Sequence, residues 1–273
     1  LASSTFKKFK KEDLKGWKNF ATFFFCFFPF LVGFLIPILE ITNWAINFSS
    51  DNFFSETFIN SLFNTIILGL IAGVICTFFA FVFNFLKRFD NGFILNGIST
   101  FISLGYAVPG LVLAVGIIQF FSLLDKGIFG PYLGIALTGS IVGLLLAYII
   151  KAYALANNSI ESGYERIDRT IDDVALSLKT NKIGIFFKIH FPLLKTSILT
   201  GMLLVISEVI KELPATLILR PFNFDTLAVT TYIYAAEERM FEAASPAIMI
   251  VLIGLIPIFF LTRIIRDSRP GNE

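Results

Sequence analysis

The chain has 273 residues, of which 56% are hydrophobic and only 15% are charged. Soluble domains have roughly 45–50% apolar and 25% charged residues, so this composition excludes an ordinary soluble protein. The formal net charge is only +2, and we therefore expect neither a basic nucleic-acid-binding surface nor a nucleic acid partner. With two cysteines and one histidine, we expect no disulfide framework, no metal centre and no cofactor.

Six apolar segments are long enough to cross a bilayer, whose hydrocarbon core of about 30 Å requires roughly 20 helical residues. The fold class predicted is an all-α polytopic membrane protein with six transmembrane helices and a cytoplasmic helical loop. We divide the chain into an N-terminal arm (1–19), a transmembrane domain (20–265) and a tail (266–273). The predicted spans are 20–39, 58–86, 98–124, 134–155, 196–217 and 244–265.

The first apolar segment follows six lysines, as the apolar region of a cleaved secretory signal would. Its length, the absence of a small-x-small cleavage site after Leu39 and the five later spans argue against that alternative. The segment is therefore predicted to be a membrane span.

The distribution of basic residues predicts the orientation, because short cytoplasmic loops carry the excess of lysine and arginine. With both termini inside, the cytoplasmic segments hold 18 of the 22 basic residues, including all of those between Lys151 and Lys195. These segments also hold 10 acidic residues, which gives +8 inside, against −6 outside from 4 basic and 10 acidic residues. The sequence predicts an inner-membrane protein with cytoplasmic N- and C-termini.

The longest polar interval, 157–195, lies on the predicted cytoplasmic side. Ser162 and Glu165 have the spacing of a capping box, which predicts a helix start there. Apolar residues then recur at helical spacing and predict one amphipathic stripe, formed by Ile167, Ile171, Val174, Ala175 and Leu178. A second short apolar run, Ile183 to Phe191, follows a polar turn. Two short helices joined in this way either lie in the lipid headgroup layer or dock onto a cytoplasmic partner.

A motif in this interval resembles the EAA loop of permease subunits of binding-protein-dependent ABC importers. That motif has EAA, three residues, G, nine residues, I, one residue and LP. Its spacing is kept here by Asp173-Val174-Ala175, Lys179, Ile189 and Phe191-Pro192. Lys179 replaces a glycine that suits a positive φ at a helix end, and we expect Asn181 to take that role.

Further segments are similar to the C-terminal half of ferric-iron-type importer permeases. They are Gly105 to Gly110, Lys211 to Thr216, Leu219 to Ala228, Ala235 to Arg239 and Glu242 to Ala244. Because two such halves are often fused in this subfamily and the first residue is Leu1, we expect the chain to be the second half of a longer permease.

The resemblance implies a coupling role for the loop, whose helices would sit in a cleft of a separate cytoplasmic ATPase dimer. The coupling residues carried over or added as apolar anchors are Asp173, Ala175, Leu178, Lys179, Phe187, Ile189 and Pro192. The chain has no GxxxxGK[ST] sequence, so we expect it not to be an enzyme and ATP hydrolysis to come from that partner. The other implied partners are a second permease half, fused or separate, a periplasmic substrate-binding protein and membrane lipids.

Charged residues at membrane depth usually mark a pathway or a paired site. The candidate path or gate residues are Pro109, Glu208, Lys211, Glu212 and Pro214. For Glu208 and Lys211, an ion pair on one helix face is the alternative to a gate. Glu208, Glu212 and Asp225 offer oxygen ligands for iron but lack metal-ligand spacing, and His190 is interpreted as a headgroup or partner contact.

The sequence therefore predicts the permease half of an ABC importer, with ferric iron as the substrate and specificity in an external binding protein. Thiamine, a polyamine or a phosphonate are the alternative substrates. A secondary transporter is the alternative class, but internal repeats and interrupted helices around a midplane site would then be expected. A membrane enzyme is the least favoured class, because no nucleophile and base pair is visible in the spans.

Overall fold

The computed structural model describes residues 15–89, 92–129 and 136–267, and the regular structure in these ranges is entirely helical. The α-helices are α1 (Trp17–Phe30), α2 (Ile36–Phe48), α3 (Glu56–Phe89), α4 (Phe93–Ser103), α5 (Gly110–Leu124), α6 (Ile141–Tyr164), α7 (Thr170–Ser177), α8 (Lys182–Ile185), α9 (Phe191–Ile210), α10 (Pro214–Leu219), α11 (Leu227–Ala236) and α12 (Met240–Asp267). The predicted all-α class is confirmed.

Within the described residues, six helical segments are long and apolar enough to cross a membrane, as the hydropathy pattern predicts. They are Trp17–Phe48, Glu56–Phe89, Gly110–Gly127, Ile141–Tyr164, Lys182–Ile210 and Met240–Ile264. The protein is therefore a polytopic helical membrane protein. Most of the N-terminal arm, residues 134 and 135 of the fourth predicted span, and most of the tail lie outside the described residues.

The core lies where α3, α6 and α9 pack against one another. Small residues allow this close approach, since a Cβ on Gly73 would lie 3.0 Å from the Ile206 side chain and one on Gly201 would lie 3.2 Å from the Ala156 backbone. Tyr148 is fully enclosed in this core. By contrast, α1 buries no residue within the chain, and α2 packs on α12.

Two predicted spans are interrupted. The third divides into α4, a 3₁₀ turn (Leu104–Ala107) and α5, while the fifth ends at Ile210 and is followed by the separate helix α10. Pro109 lacks an N–H group and forces Val108 into an extended conformation, with φ −78° and ψ 128°. Pro214 stands in the first turn of α10, where the missing N–H costs nothing.

Other prolines are accommodated without a break. The π turns Leu31–Leu35 and Phe186–His190 each end two residues before a proline, Pro37 and Pro192 respectively. A proline ring clashes with the backbone carbonyl one turn earlier, and this carbonyl loses its N–H donor because proline has none. A π turn widens the helix locally and so accommodates both changes. The chain therefore passes continuously from α8 into α9.

The fourth span is longer than predicted, and this corrects three sequence-based expectations. α6 continues to Tyr164 because its last turns are buried against α3 and α9, so Ser162 and Glu165 form no capping box and Glu165 instead ends α6. The polar loop begins after Tyr164 rather than at residue 157. Lys151 lies within α6, about 20 Å from its end, rather than in the loop.

Candidate functional site

The turn between α7 and α8 is built by backbone hydrogen bonds that close the end of α7. The Lys179 N–H donates to the Leu176 carbonyl at 2.9 Å, and the Thr180 N–H donates to the Ala175 carbonyl at 3.0 Å. This pair of bonds is the Schellman motif, which requires a left-handed residue just after the helix. Lys179 takes that conformation with φ +58°.

Asn181 has a different role from the one predicted. Its φ is −74°, and its side-chain oxygen accepts from the Gly184 N–H at 2.8 Å, so it caps the start of α8. Lys179 itself supplies the positive φ, and the expectation that Asn181 replaces the family glycine is wrong. An asparagine side chain is a preferred helix cap because it satisfies a free N–H of the first turn.

An apolar groove of about 330 Å³ lies beside this turn. Its lining residues are Thr170, Ile171, Val174, Ala175, Leu178, Thr180 and Ile189. Of the predicted amphipathic stripe, Ile171, Val174 and Leu178 are therefore exposed at the groove, whereas Ala175 touches the groove but is buried in the core. Leu178 is 76% exposed and Phe187 is 62% exposed, so large apolar side chains surround a surface that nothing in the described chain covers.

The predicted coupling residues divide into two groups. Ala175, Leu178 and Ile189 share the groove. Asp173, Lys179, Phe187 and Pro192 are exposed but do not line it.

Beneath this surface lies a buried polar cluster that sequence reasoning did not identify. Asp172 is 5% exposed, and its carboxylate accepts from Arg88 of α3 and lies 2.6 Å from Nε2 of His190. His190 is completely buried, and its Nδ1 lies 3.3 Å from the Tyr164 hydroxyl. The interpretation of His190 as a headgroup or partner contact is therefore wrong. No residue type or spacing in the sequence indicates that Asp172, rather than the adjacent Asp173, is the buried acid.

Asp168 stabilises the start of α7. Its carboxylate accepts from the Thr170 backbone N–H at 3.0 Å, and the hydrogen bonds from Thr170 hold the pKa of Asp168 below its ordinary value. A negative charge is also favourable at a helix N-terminus. The helix that carries the groove therefore begins at Thr170, eight residues after the predicted capping box.

A second polar cluster lies where the third and fifth spans are interrupted. Glu212 is buried, forms an ion pair with Lys151 and accepts from the Ala215 N–H at 3.2 Å. A Cβ on Gly110 would lie 2.8 Å from Glu212 Oε1 and 3.3 Å from Pro214 Cβ, so both residues pack against the start of α5, next to Pro109. The tertiary structure therefore brings Pro109, Glu212 and Pro214 together.

Glu208 and Lys211 form the ion pair that was the alternative to a gate, with 3.0 Å between Lys211 Nζ and Glu208 Oε2. The three acids considered as iron ligands are each neutralised by a base: Glu208 by Lys211, Glu212 by Lys151 and Asp225 by Arg220. Within the described residues, no group of three or more His, Cys, Asp or Glu side chains is arranged to hold a metal ion.

The described residues combine six spans, broken helices with buried charge, and a two-helix loop with an exposed apolar groove. These features define a membrane transport protein. The chain belongs to the family of binding-protein-dependent transport system inner membrane components, the permeases of ABC importers, whose family model matches residues 85–269. The sequence-based recognition of an importer permease is confirmed.

Among its relatives, the Fe(3+)-transport system permease protein FbpB 2 of Haemophilus influenzae is 24% identical over 255 residues, which are 92% of this chain and 48% of that protein. The molybdate/tungstate transport system permease protein WtpB of Methanocaldococcus jannaschii is 27% identical over 196 residues, 68% of this chain and 73% of that protein. This chain thus spans about half the length of the iron permease.

Among solved structures, the chain is similar to one in a bacterial alginate ABC transporter crystallised with an alginate pentasaccharide-bound periplasmic protein. The TM-score is 0.72, the sequence identity is 14%, and the match covers 92% of this chain and 94% of the other. At this low identity the similarity concerns the fold.

Proposed function

We propose that the chain is the permease part of an ATP-driven importer for ferric iron in a bacterial inner membrane. The observation that supports coupling to an ATPase is the uncovered apolar groove on the loop between α6 and α9. This groove lies at the positions where the EAA spacing is kept. The chain lacks a nucleotide-binding motif of its own, and a separate ATPase supplies the energy.

The groove is the docking site for that ATPase. An apolar surface rimmed by charged residues is typical of a protein interface, and here Asp173, Lys179, Lys182 and Lys188 stand exposed around it. Leu178 and Phe187 are the apolar anchors, since large buried side chains dominate the energy of such contacts. Closure of the ATPase dimer moves the loop as a rigid body and switches the spans between two states.

The translocation path runs past the interrupted spans. Pro109 and Pro214 free the helix ends from regular hydrogen bonding, and Glu212 with Lys151 lies at the same break. Residues at helix breaks absorb the backbone changes of a conformational switch. Glu208 and Lys211 stand at the end of α9 beside this break, and the five predicted residues together form the candidate gate.

The coupling assignment is tested by association with the ATPase. In membranes that contain the candidate ATPase, Asp173→Lys and Leu178→Glu are expected to abolish co-purification and ATP-dependent uptake, because they place a repulsive or buried charge at the interface. Glu165→Lys is the matched control, since Glu165 is an exposed carboxylate of the same loop outside the groove. Unchanged uptake in both Asp173→Lys and Leu178→Glu would show that the loop has another role.

Ferric iron is proposed as the cargo because the sequence is similar to the Haemophilus influenzae iron permease over 92% of its length. The relative that carries molybdate or tungstate in its name makes an oxyanion the second candidate. The pairing of Glu208, Glu212 and Asp225 with bases supports a low-affinity path, with specificity residing in an external binding protein.

The cargo is tested in cells that lack their own ferric iron importers. The chain, expressed with its permease partner, ATPase and binding protein, is expected to restore uptake of radioactive ferric iron but not of molybdate. The reverse result would replace iron with an oxyanion. Tight iron binding by the isolated permease would contradict the low-affinity path.

A further inference from the structure

For the proposed coupling surface to act, a movement of α7 must be transmitted to the membrane spans through the contacts that α7 makes with them. The helix α7 has eight residues, of which Asp172 and Ala175 are buried. The exposed residues of the loop, including Asp173, face away from the bundle. The link must therefore pass through the buried side of α7.

Arg88, in the last turn of α3, holds three parts of the loop at once. Its guanidinium donates to the Asp172 carboxylate of α7, to the Tyr164 carbonyl that ends α6 at 3.2 Å, and to the Ile167 and Asp168 carbonyls of the connecting segment at 3.0 and 2.9 Å. The side chain is only 8% exposed. A planar guanidinium with several fixed donors is suited to such multiple contacts.

His190 holds the same carboxylate from the other side of the loop. It ends the π turn before α9, and its ring packs between Phe85 and Phe89 of α3, with ring centroids 5.3 and 6.4 Å away. Both oxygens of Asp172 are therefore used, one by Arg88 and the other by His190. The carboxylate joins α7 to the end of α3 and to the start of α9.

We propose that Asp172, with Arg88 and His190, is the positioning unit that transmits movement of the coupling loop to the spans. This inference rests on the proposed function. It assigns different tasks to two adjacent acids, because Asp173 faces the ATPase while Asp172 fixes α7 to the bundle. Replacing a buried ion pair by apolar residues is often neutral for stability, so stability and transmission can be separated by experiment.

The test uses the complete importer, reconstituted with its ATPase, and measures substrate transported per ATP hydrolysed. Asp172→Asn is expected to keep ATPase association while lowering this ratio roughly tenfold, a typical size for a coupling between two sites. Glu165→Gln removes the charge of an exposed carboxylate outside the groove, is the matched control and is expected to leave the ratio unchanged. An unchanged ratio in Asp172→Asn would overturn the inference.

A double variant, Arg88→Met with Asp172→Leu, separates transmission from folding. It is expected to recover thermal stability relative to Asp172→Asn but not the transport ratio. Recovery of both quantities would show that the cluster is merely structural and would overturn the inference. If the unmodified chain binds no ATPase, the proposed function fails and the inference falls with it, whereas ATPase binding with a normal Asp172→Asn ratio overturns the inference alone.

Discussion

At the scale of single residues, the structure distinguishes charges that the sequence presents as equivalent. Glu208 and Glu212 both follow one apolar segment, but Glu208 pairs with Lys211, which is 64% exposed, while Glu212 pairs with Lys151, which is 18% exposed. A buried charge that loses its partner is costly, whereas an exposed pair contributes little.

Glu212→Gln is therefore expected to lower the free energy of unfolding in detergent micelles by about 3 kcal/mol, because Lys151 keeps its charge without a partner. Glu208→Gln is the matched control, with an expected loss below about 1 kcal/mol. Equal losses in the two variants would show that the Lys151 pair is solvated rather than buried.

His190 and Asp172 show the limit of sequence reasoning at this scale. Asp172 and Asp173 are adjacent acids, and no property of either residue indicates which one turns inward. The choice depends on Arg88, 84 positions away, and on His190, 18 positions away. Only packing brings these residues together.

At the scale of elements, the loop keeps the spacing of the family motif while changing its residues. The end of α7 has the hydrogen bonds of a Schellman motif, although a lysine occupies the position that favours glycine. A left-handed conformation costs a residue with a Cβ roughly 1–2 kcal/mol.

Lys179→Gly is expected to raise the free energy of unfolding by about 1 kcal/mol, because glycine adopts a positive φ without strain. Thermal unfolding of the purified protein measures the change. Thr180→Gly, at the next position, is the control and is expected to be neutral or destabilising. A lower stability for Lys179→Gly would show that the lysine side chain contributes contacts that outweigh the strain.

At the scale of the whole molecule, the charge distribution predicts the orientation. Moving Lys151 from the loop into α6 reduces the basic residues on the predicted cytoplasmic side from 18 to 17 of 22. The asymmetry survives this correction, and the positive-inside rule still favours cytoplasmic termini.

Cysteine labelling in intact cells measures this orientation. In a background with Cys26→Ala and Cys76→Ala, Ser177→Cys is expected to be protected from a membrane-impermeant maleimide, because the predicted topology places α7 on the cytoplasmic side. Glu238→Cys, in the exposed connection before α12, is expected to be labelled. The opposite pattern would invert the topology and remove the loop from the ATPase.

The sequence by itself determined the six spans, the polar loop and the family motif, because hydropathy and residue spacing are local properties that can be read along the chain. The tertiary structure decided which spans are interrupted, how far α6 continues and which acid is buried. These outcomes depend on contacts between residues far apart in the chain, such as Arg88 with Asp172 and Lys151 with Glu212. Local pattern therefore specifies the elements, while packing between them specifies the sites.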